Sequence, residues 1–163
     1  MNQSEYGPNR EFSDMFISQI KDILKTCLGD IKTIRVASDT EDQKQATDLV
    51  IQLTKKRGTV ACRMRRDKIY FRDLTIRSRS CCGQKTELDK LREGFADWYL
   101  YGWTKNGKIA EWILVDLRKV RTKGLLNQPR FEQSNTDGKT KFISISIREL
   151  FESCCLKDWL GNF

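Results

Sequence analysis

Residues 48–80 alternate polar and apolar side chains through three successive segments, and they read DLVIQLTKKRGTVACRMRRDKIYFRDLTIRSRS. Because successive side chains of a strand point to opposite faces, this period of two predicts strands at 48–53, 59–65 and 69–79. Side by side in one meander, the strands would form a sheet with an apolar back and an arginine-rich front. The arginines expected on that front are Arg63, Arg65, Arg77 and Arg79. Guanidinium groups suit phosphate and carboxylate, so the front is predicted to bind an anion.

The rest of the chain contains patterns typical of helices, strands and loops. Apolar residues recur at three- and four-residue spacing over 12–28, which predicts a helix that ends at Gly29. The other predicted elements are a strand at 31–37, a polar loop at 38–45, a helix at 87–101, a strand at 112–115, a short helix from Asp116 to about Gly124, a strand at 141–145 and a last short helix capped by Ser146. This order predicts an α/β (α+β) fold in which helices flank a mixed β-sheet.

The clearest helix pattern covers 87–101. Thr86 precedes it as a typical N-cap, and the acidic residues of its first turn suit the positive end of a helix. Trp98 and Tyr99 are predicted to lie in its buried stripe. Trp103, just beyond the predicted end, is expected to be exposed.

Length and composition predict one domain in a reducing compartment. Residues 1–11 are polar and predict a loose tail, which leaves 12–163 as a single domain. No apolar run approaches a membrane span, and the N-terminus lacks an apolar signal region, so a cytoplasmic protein without a membrane partner is expected. The six cysteines are then expected to stay reduced. The adjacent pairs Cys81–Cys82 and Cys154–Cys155 do not have the spacing of zinc ligands, and their role stays open.

The charge balance favours an acidic partner. Lysine and arginine number 30 against 22 aspartates and glutamates, a net charge of +8, which suits nucleic acid, an anionic surface or an acidic protein. The chain contains no histidine, which excludes serine–histidine and cysteine–histidine nucleophile systems in their usual form. Acid–base chemistry would have to come from carboxylates, lysines, tyrosines or metal-bound water.

A helix, a strand meander, a second helix and a strand follow one another over about residues 12–116. An aspartate opens one strand, and a charged pair two residues apart lies on the next. This arrangement resembles the PD-(D/E)XK nuclease superfamily, whose core is αβββαβ. The resemblance places the family's metal-binding aspartate on Asp48 and its (D/E)-x-K motif on Arg63, Met64 and Arg65. The runs DLTIRSRS, KTELDK and GFADWYLYGW resemble small bacterial and phage proteins of the same fold.

The motif departs from the family at its second acid. Active members use two carboxylates and a lysine to hold Mg²⁺ and orient a water, whereas here Arg63 stands at the acidic position and offers no lone pair to a metal. Glu87, in the first turn of the helix that borders the site in the family, is the better replacement, and Asp73 is the other. Lys90, about one turn later, would stand in for the catalytic lysine or pair with Glu87. Each acid also has a structural explanation: Asp48 as a turn residue, Glu87 as helix-end charge complementation.

Three functions remain open. The first is a nucleic-acid-binding protein without catalysis that grips the phosphate backbone through Arg63, Arg65, Arg77 and Arg79. DNA is preferred over RNA as its ligand. Such a protein could be encoded by a phage and act on host nucleic acid or on a host defence complex. The second is a Mg²⁺-dependent nuclease with Asp48 and Glu87 as metal ligands. The third is an adaptor whose arginines pair with an acidic protein surface.

Overall fold

The computed structural model describes residues 12, 14–66, 71–80, 83–135 and 138–161. Its strands are β1 (Ile31–Val36), β2 (Leu49–Leu53), β3 (Arg57–Arg65), β4 (Asp73–Arg79), β5 (Trp98–Lys105), β6 (Lys108–Asp116), β7 (Gln133–Ser134), β8 (Lys141–Ser146) and β9 (Leu156–Leu160). Its helices are α1 (Ile17–Leu28), α2 (Asp39–Gln45), α3 (Glu87–Arg92), α4 (Leu117–Thr122) and α5 (Ile147–Glu152). In the part of the chain that the structure describes, no helix has the length and apolar character needed to cross a bilayer.

The strands form two sheets. The large sheet has the order β1-β2-β3-β5-β6-β9, in which β3 and β5 are parallel and all other neighbours are antiparallel. The small antiparallel sheet has the order β4-β8-β7. The predicted α+β class with a mixed sheet and flanking helices is therefore confirmed.

The prediction that 69–79 continues the meander is wrong. Residues 67–70 lie outside the described residues, and β4 pairs with β8 rather than with β3. Leu74 and Ile76 of β4 are fully buried in the core between the two sheets. A period of two predicts that a segment is a strand and which side chains share a face, but it does not choose the partner strand.

The large sheet separates two hydrophobic cores. On one face α1 packs through Ile20 and Leu24 against Val60 and Leu100. On the other face the small sheet and the short helices cover Ala61, and the same core contains other buried side chains, among them Tyr99, Tyr101, Ile113, Ile143 and Ile145. Because side chains alternate along β3, Arg63 and Arg65 are on the same side as Ala61, next to the small sheet.

The predicted helix at 87–101 is wrong beyond Arg92. Gly94 and Ala96 both adopt positive φ angles (98° and 56°), which end α3 and lead the chain into β5. Trp98 packs on the α1 side of the sheet and Tyr99 on the other, as strand alternation requires. Trp103 is 4% exposed, and its Nε1 donates to the Phe71 carbonyl at 3.0 Å, so its predicted exposure is also wrong.

Two further differences come from local signals. The polar segment predicted as a loop at 38–45 forms α2, because Ser38 and Glu41 make reciprocal capping-box hydrogen bonds. Strand β6 begins earlier than the predicted 112–115, because Asn106 and Gly107 both take positive φ angles and close a tight β5–β6 hairpin.

The remaining predicted elements are present with small shifts in their bounds. The helix predicted over 12–28 corresponds to α1, which begins at Ile17, and the strand predicted at 31–37 corresponds to β1. Asp116 caps α4 and Ser146 caps α5 through hydrogen bonds to the backbone. Cys154 and Cys155 are both free thiols, the first exposed and the second buried. The tail at 1–11 and Cys81–Cys82 lie outside the described residues.

Candidate arginine and carboxylate site

Arg63 reaches from β3 towards the small sheet. Its Nη2 donates to Oε2 of Glu87 at 2.7 Å, and its Nη1 donates to the Thr75 carbonyl at 3.1 Å. The side chain is 29% exposed, so the ion pair is only partly screened by water. Burial is the largest single influence and opposes the charge on Arg63, but the acidic groups around it, with Glu87 contributing most, together outweigh burial and raise the pKa of Arg63 above its ordinary value.

Glu87 is the acceptor at the centre of this site. It lies in the first turn of α3, which Thr86 caps. Besides Arg63, its Oε2 accepts the Arg77 backbone N–H at 3.0 Å, and its Oε1 accepts the Tyr99 hydroxyl at 2.5 Å. Burial raises the pKa of Tyr99 well above its usual value of 10, so the phenol stays protonated and can donate. Three donors of different kinds therefore hold one carboxylate.

The Arg63–Glu87 pair also binds the edge of β4. This strand lies at the end of the small sheet, with β8 as its one neighbour there. The Thr75 carbonyl and the Arg77 N–H are backbone groups of β4, and they bond to Arg63 and Glu87 respectively. Unpaired backbone groups of an edge strand need other partners. The ion pair supplies them and joins β4 to β3 and α3.

Arg65 makes a second set of internal contacts two residues further along β3. Its Nε donates to the Tyr101 hydroxyl and its Nη2 to Thr75 Oγ1, while those two hydroxyl oxygens are 2.9 Å apart. The guanidinium carbon also lies 5.6 Å from the centre of the Tyr101 ring. Arg65 therefore contributes to the contact between the two sheets.

Asp48 lies beside this site, immediately before β2. Its Oδ2 accepts the Cys62 N–H at 2.6 Å. Burial raises the pKa of Asp48 to about 7, and the charges of Asp42 and Glu87 act in the same direction, while the Cys62 hydrogen bond and Arg63 oppose the shift. The fold thus places Asp48, Arg63 and Glu87 close enough for their charges to interact.

The four arginines do not form one front. Arg63 and Arg65 point inward from β3, whereas Arg77 and Arg79 have exposed side chains on β4 of the other sheet. Arg79 is 3.8 Å from the Glu132 carboxylate and 63% exposed. The expected single front is wrong because it required β3 and β4 to be neighbours.

The two other candidate residues, Lys90 and Asp73, lie on the elements that carry Glu87 and Thr75. Lys90 is half-buried on α3, where its backbone N–H donates to the Thr86 carbonyl at 3.1 Å. Asp73 opens β4 opposite Ser146, and its buried Oδ1 has no hydrogen-bond partner among the described residues.

The donor set does not fit Mg²⁺. Glu87 already accepts three hydrogen bonds, one of them from a cation, and Asp48 Oδ2 accepts the Cys62 N–H, so both carboxylates already have partners within the protein. Among the residues that the structure describes, no group of three or more histidine, cysteine, aspartate or glutamate side chains is arranged to hold a metal. Magnesium therefore stays a prediction of the nuclease alternative alone.

Sequence reasoning missed Thr75, Tyr99 and Tyr101 as members of the site. The signal for the two tyrosines was the alternation in WYLYGW, which puts Tyr99, Tyr101 and Trp103 on one face of a strand. No known protein-family model and no curated protein matches this chain.

Proposed function

We propose that this protein binds the phosphate backbone of nucleic acid and does not cleave that nucleic acid. The observation that carries the proposal is the Arg63–Glu87 ion pair, because the resemblance to PD-(D/E)XK nucleases expects a metal-binding acid at position 63. A framework that keeps Asp48 near this point, but fills the acidic position with a paired arginine, favours binding over metal-dependent chemistry. The order α1, β1, β2, β3, α3, β5 supports the resemblance if α2, between β1 and β2, and β4, between β3 and α3, are insertions.

The excess of positive charge supports a polyanion as the ligand. With Arg63 and Arg65 bonded internally, the exposed guanidinium groups of Arg77 and Arg79 are the members of the predicted set that can reach a phosphate. A net charge of +8 would steer a polyanion to such groups and make its affinity depend strongly on salt.

The first test is a titration of labelled single-stranded and double-stranded DNA, and of RNA, over a range of salt concentrations. Log affinity should fall linearly with log salt, and Arg77→Ala with Arg79→Ala should reduce the slope by about one to two. The matched control is Arg148→Ala with Lys157→Ala, which removes two exposed cations from α5 and β9. Equal slopes for the two double variants would exclude Arg77 and Arg79 as phosphate contacts.

The observation that favours the nuclease alternative is that the charges of Glu87 and Arg63 both act on Asp48. Incubating the pure protein with plasmid DNA in Mg²⁺ or Mn²⁺ distinguishes the two functions. Cleavage that disappears in Asp48→Ala, and falls in Lys90→Ala, would contradict binding without catalysis. We expect no cleavage by the protein or by either variant.

The proposed function also implies a cellular compartment and a kind of partner. The four described cysteines are free thiols, which supports a reducing, cytosolic compartment. If the protein binds no polynucleotide even at low salt, a nucleic-acid-processing complex or another acidic protein surface becomes the better partner.

A further inference from the structure

A concave pocket lies on the face of β1, β2 and β3 that is opposite α1. It has a volume of about 290 Å³, and the residues that line it are Thr33, Arg35, Val50, Gln52 and Arg57. We call it the front pocket. The polar members are exposed, and Val50 forms a buried floor at 6% exposure. The lining contains two cationic groups, a hydroxyl and an amide, and no carboxylate.

Strand register fixes the positions of these side chains. Thr33 is opposite Gln52 and Arg35 is opposite Val50 in the β1–β2 pair. Gln52 is opposite Arg57 in the β2–β3 pair. Directly opposed residues of antiparallel strands lie about 5 Å apart on one face. The pocket is therefore built on three bonded strands, which are more rigid than loops.

Glu41 of α2 holds the two arginines at the rim. Its Oε1 accepts Arg35 Nη2 at 2.7 Å and Arg57 Nη2 at 2.6 Å, and its Oε2 accepts Arg35 Nη1 at 2.8 Å. Both guanidinium groups are thus within hydrogen-bond distance of one oxygen atom. The Arg35 hydrogen bonds hold the pKa of Glu41 well below its usual range, so it is ionised at neutral pH.

The bonds to Glu41 leave donor capacity at this rim. Two arginines against one carboxylate give a local charge of +1. Arg57 uses one of its three nitrogens for Glu41, and no described residue accepts from the other two. Arg35 and Arg57 are 52% and 57% exposed, so a ligand can reach them. Planar guanidinium groups held side by side are suited to the tetrahedral oxygens of phosphate.

We propose that the front pocket binds a phosphate group, and that Glu41 competes with this phosphate for Arg35 and Arg57. The assignment of that phosphate to a nucleic-acid backbone rests on the proposed function. The Gln52 amide nitrogen donates one N–H to the Leu53 carbonyl at 3.0 Å, so its second N–H and the Thr33 hydroxyl can donate to the same anion from the strands beneath. Before the phosphate binds, Glu41 keeps the two arginines aligned. It also lowers their affinity for phosphate, because the phosphate must either share the arginines with the Glu41 carboxylate or displace it.

The test of the pocket is Arg57→Ala against Arg148→Ala. Both variants remove one surface arginine that is paired to a glutamate, so they change the net charge equally. Arg57→Ala should weaken binding of a labelled DNA oligonucleotide about tenfold, the loss of one charge-assisted phosphate contact. Arg148→Ala should change it by about twofold or less.

The test of the competition is Glu41→Gln against Glu152→Gln. Glutamine at 41 can still accept the Ser38 N–H of the capping box, so α2 should keep its cap. The loss of the competing charge should tighten DNA binding by about threefold to tenfold and steepen its salt dependence. Equal effects of Glu41→Gln and Glu152→Gln, or weaker binding in Glu41→Gln, would overturn the competition.

The outcomes separate the pocket from the proposed function. If DNA binds but Arg57→Ala behaves like Arg148→Ala, the pocket proposal is wrong and the proposed function stands. If the wild-type protein binds no polynucleotide, the proposed function fails. A titration with inorganic phosphate then tests whether the front pocket binds a small anion. Phosphate-induced NMR shifts of the Thr33 and Arg35 amides that vanish in Arg57→Ala would keep it as a small-anion site. No shift with phosphate would overturn it.

Discussion

Glu87 is the residue on which the most contacts of the site depend. Its carboxylate is 16% exposed and bonds Arg63, Tyr99 and the Arg77 backbone. Glu87→Gln keeps the volume but turns one acceptor into a donor that faces other donors, and it leaves Arg63 without a counter-charge. The free energy of unfolding in urea should fall by about 2 kcal/mol. Glu152→Gln, at an exposed pair with Arg148, should lower it by less than about 0.5 kcal/mol. Equal losses would mean that the central pair is as weak as a surface pair.

Asp48 should make stability depend on pH in a direction unusual for an acid. Its pKa rises from 3.8 to about 7 on folding, so between these values the folded state binds more protons than the unfolded state. Stability then falls as pH rises from about 4 to 7, by on the order of 3 kcal/mol. Asp48→Asn should flatten this slope in urea unfolding measured from pH 4 to 8, while Asp30→Asn, at an exposed position, should not. If the dependence of stability on pH is unchanged in Asp48→Asn, a group other than Asp48 causes it.

At the scale of elements, β3 can lie close to β5 because Gly58 has no side chain. A Cβ atom there would be 2.4 Å from Cζ3 of Trp98, a rigid ring packed in the core under α1. Gly58→Ala should therefore lower the free energy of unfolding by about 1–3 kcal/mol. Gly102→Ala is the comparison: its Cβ would meet the sulfur of Met64 at 2.7 Å, and the flexible methionine can move. Thermal or urea unfolding that ranks Gly102→Ala as the more damaging would contradict this account.

Elements with a local signal could be predicted from the sequence, and those that depend on distant packing could not. The period of two in β3 and the caps at Asp116 and Ser146 involve neighbouring residues, so they predicted the right structures. Strand β5 is buried on both faces, and Trp98 and Tyr99 follow the apolar residues Leu88 and Leu91 of α3 at helical spacing, so the pattern continued the helix too far.

The residues of the candidate site also divide into those that the sequence predicted and those that it missed. The sequence predicted Asp48, Arg63 and Glu87 as members of one site, and in the structure Arg63 forms an ion pair with Glu87 while the charges of both act on Asp48. It missed that Thr75 and Tyr99 complete the site, because they meet Arg63 and Glu87 only when the second sheet packs on the first.

At the scale of the whole molecule, the two cores share the strands of the large sheet. Trp98 and Leu100 of β5 belong to the core under α1, while Tyr99 and Tyr101 belong to the core against the small sheet. Neither core can therefore be lost without disturbing the strand that supports the other, and the molecule should unfold in one cooperative step.

Truncating a fully buried side chain in either core tests this cooperativity. Leu24 points from α1 into the core under that helix, and Ile145 lies in the small sheet, so Leu24→Ala and Ile145→Ala should each cost about 2–5 kcal/mol. Tryptophan fluorescence and far-UV circular dichroism should show the same shifted urea midpoint, with an unchanged m-value, in both variants. If Ile145→Ala instead produces an early transition that leaves the core under α1 folded, the small sheet is an independent unit. The Arg63–Glu87 pair would then join two separately stable parts rather than close a single one.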